Sequence, residues 1–316
     1  MAEFTWSFDA PTGTFKNHAL SAKIREAAIA QTKFLQFVEP EPGYGRKAGD
    51  TVTISRIRNL AEPTSGQFGE RDRVPIDTFA VSTKSITVSF WGRGVEYTDM
   101  TELLAHFDLR DKIQRKLMAQ QKLVLDTGAA TAFKAALIKA VPSSLSALTI
   151  TTNGAFGGTS AVNSSVAHMK IIRDYMMDTI HVPGWRGGED YYALCSTKFC
   201  RGIRNDPEFI ESAKYTSRDY FVNGEIGKVE NIHVVEVNHT NALANNKGTG
   251  GILGEAVFFG DDAVSLAVVM DPEMRAAIPG NFGLQNAVAW IGLLQFGLIW
   301  DTANDGEARV VHFGSL

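Results

Sequence analysis

Two cysteines, Cys195 and Cys200, are too few for a disulfide framework in a chain of 316 residues. They read as reduced thiols that pack, which points to an intracellular folding environment. Basic residues are not in excess: 31 Lys and Arg stand against 35 Asp and Glu, a net charge of −4. Nucleic-acid binding is therefore not indicated as the main task. The first residues, MAEFTWSFDAPTGTF, lack a basic start followed by a long apolar core, and no signal peptide is expected. A membrane-crossing helix needs about 20 mostly apolar residues. The most apolar stretch, AVAWIGLLQFGLIW from Ala287 to Trp300, is shorter and carries two glycines. Gln285, Asn286 and Asp301 flank it, so no membrane association is expected.

Reactive constellations are also missing. GTGGILG (Gly248–Gly254) is glycine-rich but has no glycine at Leu253, and NGEIGKV (Asn223–Val229) lacks the spacing and hydroxyl residue of a phosphate loop. The seven histidines are scattered, without H-E-x-x-H, and neither cysteine has a partner at ligand spacing. There is no G-x-S-x-G elbow. No cofactor or metal is expected, and no catalytic residue is assigned. Lys112, Arg115, Lys116 and Lys122 form a basic run, but Asp108, Asp111 and Asp126 are mixed in, as on a solvated helix face. These four lysines and arginines are the candidate positions for non-specific phosphate contact, which needs only cations.

What the sequence does contain is an order of elements. A helix is expected from about Ser21 to Phe37, ended by EPEPGYGRKAGD. TVTISRI (Thr51–Ile57) and STKSITVSFW (Ser82–Trp91) alternate as strands. Between them, EPTSGQFGERDRVP (Glu62–Pro75) is too long for a tight turn, and a loop of that length is usually functional. The period then changes to about 3.6. Asp99 and Asp108 offer helix starts, and Leu109, Ile113, Leu117, Gln120, Val124, Gly128, Thr131 and Ala135 predict one long helix reaching Ala140. Pro142–Thr159 reads as a connection. A second helix is expected over Ser164–Ile180, with Val166, Met169, Ile172, Met176 and Ile180 inward.

YYALCS reads as a buried strand, Ser196 as a helix cap, and Asp206-Pro207-Glu208 as a further helix start. NIHVVEV (Asn231–Val237) is a strand, and ALANNKGTGG (Ala242–Gly251) a loop without core residues. AVFFGDDAVSLAVV (Ala256–Val269) reads as two strands about a turn. In Ala287–Trp300 alternate positions form two apolar faces, predicting a strand covered on both sides and paired with ARVVHF (Ala308–Phe313). Gly292 and Gly297 are expected at a bulge or a close backbone approach. Helices and strands are grouped and do not alternate, so the fold class is α+β.

A charged hairpin that projects past its own core suits a subunit lying over its neighbours. In that order of elements the chain resembles the major capsid proteins of tailed bacteriophages, of HK97-type fold and the short-tailed-phage branch. The stretches that carry the resemblance are Gly92–Gly128, Tyr191–Tyr215, Asn223–Thr240, and AVFFGDDAVSLAV with PGNFGLQNAVAWIGLLQFGLIWD. By position it implies an N-terminal arm (1–50), an extended β-hairpin loop (51–97), a peripheral domain with a spine helix (98–158), an axial domain (159–279) and return strands of the peripheral domain (280–316). It further implies self-assembly into an icosahedral shell around double-stranded DNA, in the virion, after assembly in the host cytoplasm. Portal, scaffolding and decoration proteins are the implied further partners. The loop tip, with Glu62, Gln67, Phe68, Glu70, Arg71, Asp72 and Arg73, would contact a neighbouring subunit, its mixed charges setting register more than affinity. Two other readings stay open on the residues alone: an encapsulin-type compartment shell, and an α+β enzyme using His168, Asp174 and Cys195.

Overall fold

The computed structural model describes residues 27–60, 62–63, 65–105, 108–214 and 227–316, without the side chains of 212–214. His18, His106 and the first turns of the helix expected from Ser21 lie outside the described residues. From Ala27 onward no α-helix forms there; a 3-10 turn, Phe34–Phe37, is followed by the short strand β1 (Glu39–Pro40). Its one fully buried side chain is Phe34, whose ring lies 5.8 Å from Phe133. Tertiary anchoring thus overrides a loose helical spacing.

β2 (Thr51–Ile57) and β3 (Val81–Thr87) pair antiparallel as a two-stranded sheet of their own. β4 (Ser89–Thr98) belongs elsewhere. The segment read as one strand through Trp91 is split at Val88, whose N–H donates to the Asp50 carbonyl and closes the base of the hairpin. Thr98, not Asp99, caps α1 (Asp99–Leu104), its hydroxyl accepting from the Thr101 N–H. Asp108 caps α2 (Leu109–Lys134) through the Asp111 N–H.

α2 stops six residues short of the expected end. Ile138 and Ala140 are drawn into β5 (Ile138–Ser144), which with β6 (Ala147–Thr151) makes a hairpin where a loop was expected. Pro142 is tolerated because β13 (Val310–Phe313) pairs only with the Ile138–Ala140 part of β5, and the ladder to β6 is irregular just past the proline.

α3 (Val166–Asp174) starts at the Ser165 cap and runs into a single π-helical turn, Tyr175–Thr179. Its five expected inward residues are all buried. β7 (Tyr191–Ser196), α4 (Thr197–Arg204) with its Ser196 cap, and α5 (Pro207–Lys214) follow as read. β8 (Lys228–Val229), β9 (Ile232–Val237), β10 (Ala256–Phe259), β11 (Val264–Ala276) and β12 (Gln285–Leu298) complete the α+β chain with β13. The loop between β9 and β10 does contribute to the core, through Ala242 and Leu243.

Two sheets form the body. One has the order β1-β11-β12-β4, the other β6-β5-β13-β10-β7-β9-β8. β12 therefore pairs with β11 and β4, and β13 lies in the other sheet between β5 and β10, not against β12. β10 and β11 are likewise not a hairpin; the turn between them carries the chain from one sheet to the other. In the larger sheet Ala256 and Phe258 face a core with α3 and α4, while Val257 and Phe259 face α2. Burial on both faces explains the unbroken AVFF run.

Along β12, Val288, Trp290, Leu294, Phe296 and Leu298 are buried, whereas the alternate residues are half-buried. Trp290 packs within the chain, with Leu117 of α2. The expected cover on both sides is thus complete on the α2 side only. Gly292 lies close against Pro272 of β11, whose ladder is the irregular one. At Gly297 a Cβ would sit 2.5 Å from Ile86 Cδ1, so a side chain there would push the hairpin away. Among the described residues, no helix is long and apolar enough to cross a membrane.

Candidate assembly surface

Every described residue from Ile57 to Val81 is exposed. Among the described residues the tip is held by local bonds only: the Gly69 N–H donates to Asp72 Oδ2 (3.0 Å), the Asp72 N–H to the Gly69 carbonyl (2.9 Å), and the Gln67 N–H to Ser65 Oγ (3.2 Å). Among the described residues, Glu62, Glu70, Arg71 and Arg73 have no ion-pair partner. The charges were legible beforehand. The apolar content of the same excursion was not: Ile57, Leu60, Phe68, Val74, Ile76, Phe79 and Val81 all stand exposed. Burying one such side chain contributes roughly 1.5–3 kcal/mol. Contiguous apolar exposure of this kind is uncommon on a monomeric soluble protein.

Beside the hairpin base lies a half-open groove of about 920 Å³, walled by α2, β12 and β3. It accounts for the periodicity of α2. Gln120, Thr127, Gly128, Thr131 and Ala135 line this groove, as does Val124, which also packs against the Leu117–Trp290 cluster. The fully buried positions of α2 are Leu117, Asp126, Ala129, Ala130, Ala132 and Phe133. Its second half is held on another side by Phe34 and by both sheets.

The basic run is largely engaged within the chain. Arg115 pairs with Asp111 at 2.9 Å, and Lys116 Nζ donates to the Ala27 carbonyl at 3.3 Å. Lys112 is half-buried and Lys122 is exposed. Asp126, read as part of a solvated face, is completely buried.

The residues weighed for enzymatic chemistry serve the fold. Cys195 is buried, and burial pushes its thiol well above the ordinary range, the wrong direction for a nucleophile. Asp174 is exposed and pairs with Arg173. His168 is the third helical residue of a capping box: Nδ1 accepts from the Ser165 N–H (3.1 Å) and Nε2 lies 2.7 Å from the Ser144 carbonyl. That arrangement places the proton on Nε2 and keeps the ring neutral, and burial lowers its pKa.

A second buried histidine, His312, is held well below its usual pKa, first by burial and then by Lys139, Lys134 and Lys247. Lys139 donates to the Lys134 carbonyl and contacts His312 Nδ1 at 3.0 Å; burial lowers its pKa to about 8. Glu255 lies at 3.4 Å from Lys134 and 3.7 Å from Lys247.

The unfolded chain takes up a proton at each histidine near pH 6.5, and the folded chain resists it. Both histidines therefore contribute stability that is full above about pH 6.5 and is lost as pH falls toward their folded values. The loss approaches about 1.4 kcal/mol per pH unit for each. Urea midpoints measured from pH 7 to 5 should fall, and His312→Gln should flatten that fall; an unchanged slope in the variant would count against this account.

No protein-family model matches the sequence, and no curated protein matches it. Solved structures do. The capsid asymmetric unit of cyanophage Pam1 aligns over 100% of this chain and 99% of its own, with a TM-score of 0.75 at 13% identity. The acid-stable capsid of Helicobacter pylori bacteriophage KHP30 aligns over 95% of both chains, with a TM-score of 0.70 at 11% identity. The capsid of Ralstonia phage GP4 covers 99% and 98%, with a TM-score of 0.61 at 15% identity. The fold is a phage capsid fold. The likeness runs over 95–100% of the chain at 11–15% identity. Sequence alone carried that likeness only through the order of elements.

Proposed function

We propose that the chain is a major capsid subunit of a tailed bacteriophage, assembling into an icosahedral shell that encloses double-stranded DNA. The observation that carries this reading is the excursion of 57–81, apolar and charged, which none of the described residues covers. Full-length agreement in fold with phage capsids supports it. In this reading the apolar side chains supply the adhesion between subunits. Glu62, Gln67, Glu70, Arg71, Asp72 and Arg73 around Phe68 supply register, since charges at an interface select orientation more than they add affinity. Each subunit makes several such contacts, so each can be individually weak.

The arm, loop, peripheral and axial divisions of the HK97-type plan go with this reading, as does self-association into pentamers and hexamers. Portal, scaffolding and decoration proteins would be its partners, and assembly would occur in the host cytoplasm. Lys122, with Lys112, Arg115 and Lys116 nearby, is the position proposed to face DNA. Electron microscopy of the expressed chain, with a scaffolding partner supplied, should show closed shells or curved sheets. A chain that stays monomeric across protein concentration and salt would overturn the proposal.

A further inference from the structure

The hairpin is fastened to the body by side chains. Among the described residues, no main-chain hydrogen bond joins β2 or β3 to either body sheet. Ile86 of β3 rests on Gly297 of β12. The other attachment converges on one carboxylate, Asp301, in the connection between β12 and β13. It accepts from Arg56 of β2 and from Lys84 Nζ of β3, the latter at 2.9 Å. One carboxylate thereby holds both strands. Arg56 also donates to the Ile299 carbonyl (3.0 Å), and its guanidinium lies 5.8 Å from the Trp300 ring, which Arg309 covers at 5.1 Å. A weaker pair, Arg58 with Glu307 at 3.4 Å, follows one step further out.

We propose that Asp301 is a latch that fixes the angle of the hairpin on the body, and that loss of its charge lets the hairpin swing about the Ile86–Gly297 contact. The physical reason lies in Arg56, which is only 6% exposed. Among the described residues Asp301 is the carboxylate paired with it. Without Asp301 the guanidinium is a buried charge with no counter-charge, a strongly unfavourable state. Outward motion of β2 brings it to water, and no main-chain bond to the body opposes that motion. Asp301 itself is held below the usual carboxylate range. Burial alone would raise it, but hydrogen bonds from Lys84 and Arg56 more than offset this, so the latch is charged at neutral pH. It is a property of the single chain and stands independently of the shell reading.

Hydrogen exchange by mass spectrometry on the full chain tests it. In Asp301→Asn, residues 51–57 and 81–87 should exchange on the order of tenfold faster, as expected for a locally opened unit. Residues 191–196 of β7 should exchange as in the parent. Unchanged hairpin exchange overturns the latch. If protection falls everywhere, Lys84→Ala decides: it keeps Arg56 paired and releases β3 alone. Faster exchange over 81–87 than over 51–57 then supports the latch, and exchange equal to the parent overturns it.

Discussion

Chains lacking Gly66–Arg73 should fold as the full chain does and fail to close shells. The deleted residues are exposed and, among the described residues, bond only to one another and to the adjacent Ser65, so no core contact is lost. Shortening a surface loop changes its closure entropy by well under about 1 kcal/mol. The unfolding midpoint should therefore stay near that of the parent. Assembly responds differently. The deletion removes Phe68 and the charges Glu70, Arg71, Asp72 and Arg73, while Val74, Ile76 and Phe79 remain to adhere without a register. A defect in one contact recurs at every subunit of a closed surface, and its effect multiplies as avidity does. Micrographs should show irregular aggregates or free subunits in place of shells. Normal shells from the deletion would remove the tip from the interface.

How far such a chain can be read in advance depends on the range of the physics. Local signals were legible. β2 runs over the alternating residues that define it, and Asp108 and Ser196 cap the helices they precede, because a cap is settled within three residues. The alternation in Ala287–Trp300 identified a strand, but two apolar faces did not tell which one is fully buried. Strand partners were not legible. β13 is apolar and adjacent in sequence to β12, yet it pairs in the other sheet, since pairing depends on where the chain crosses and not on either strand's composition. The helix expected to reach Ala140 failed for the same reason: Ile138 and Ala140 are buried in a strand whose partner, β13, lies far along the chain.

The candidate surface divides along similar lines. A long charged loop between two strands could be seen in the residues as something projecting. Its seven exposed apolar side chains are spaced irregularly, without a period to expose them. The spacing along α2 predicted a helix but not what its seam faces, because a half-open groove and a core impose the same spacing. Arg56 and Asp301 are 245 residues apart, and nothing local marks either as half of a pair. The same holds for Asp126, which carries no signal beyond an acidic residue among lysines.

Asp126→Ala should be among the most destabilising single substitutions in the chain. The carboxylate is completely buried on α2 and joins three segments. Oδ1 accepts from the Phe34 N–H at 2.8 Å, and Oδ2 lies 3.1 Å from His239 Nδ1. The Gln31 N–H adds a bond to Asn238 Oδ1 at 2.7 Å, so the incoming chain and the 238–243 loop are tied to each other as well as to the helix. Alanine leaves a buried N–H and a buried imidazole without their partner. Each buried group left without its partner costs about 1–3 kcal/mol, so the loss should reach about 2–5 kcal/mol. Asparagine should cost less than half of that, because its carbonyl can accept from Phe34 and its amide keeps a polar group against the His239 ring. Urea unfolding should rank the parent above Asp126→Asn and that above Asp126→Ala. The Phe34 amide should lose its exchange protection in the alanine variant before β7 does. A loss below about 1 kcal/mol, the worth of an ordinary hydrogen bond, would mean that the buried carboxylate does not hold the three segments together.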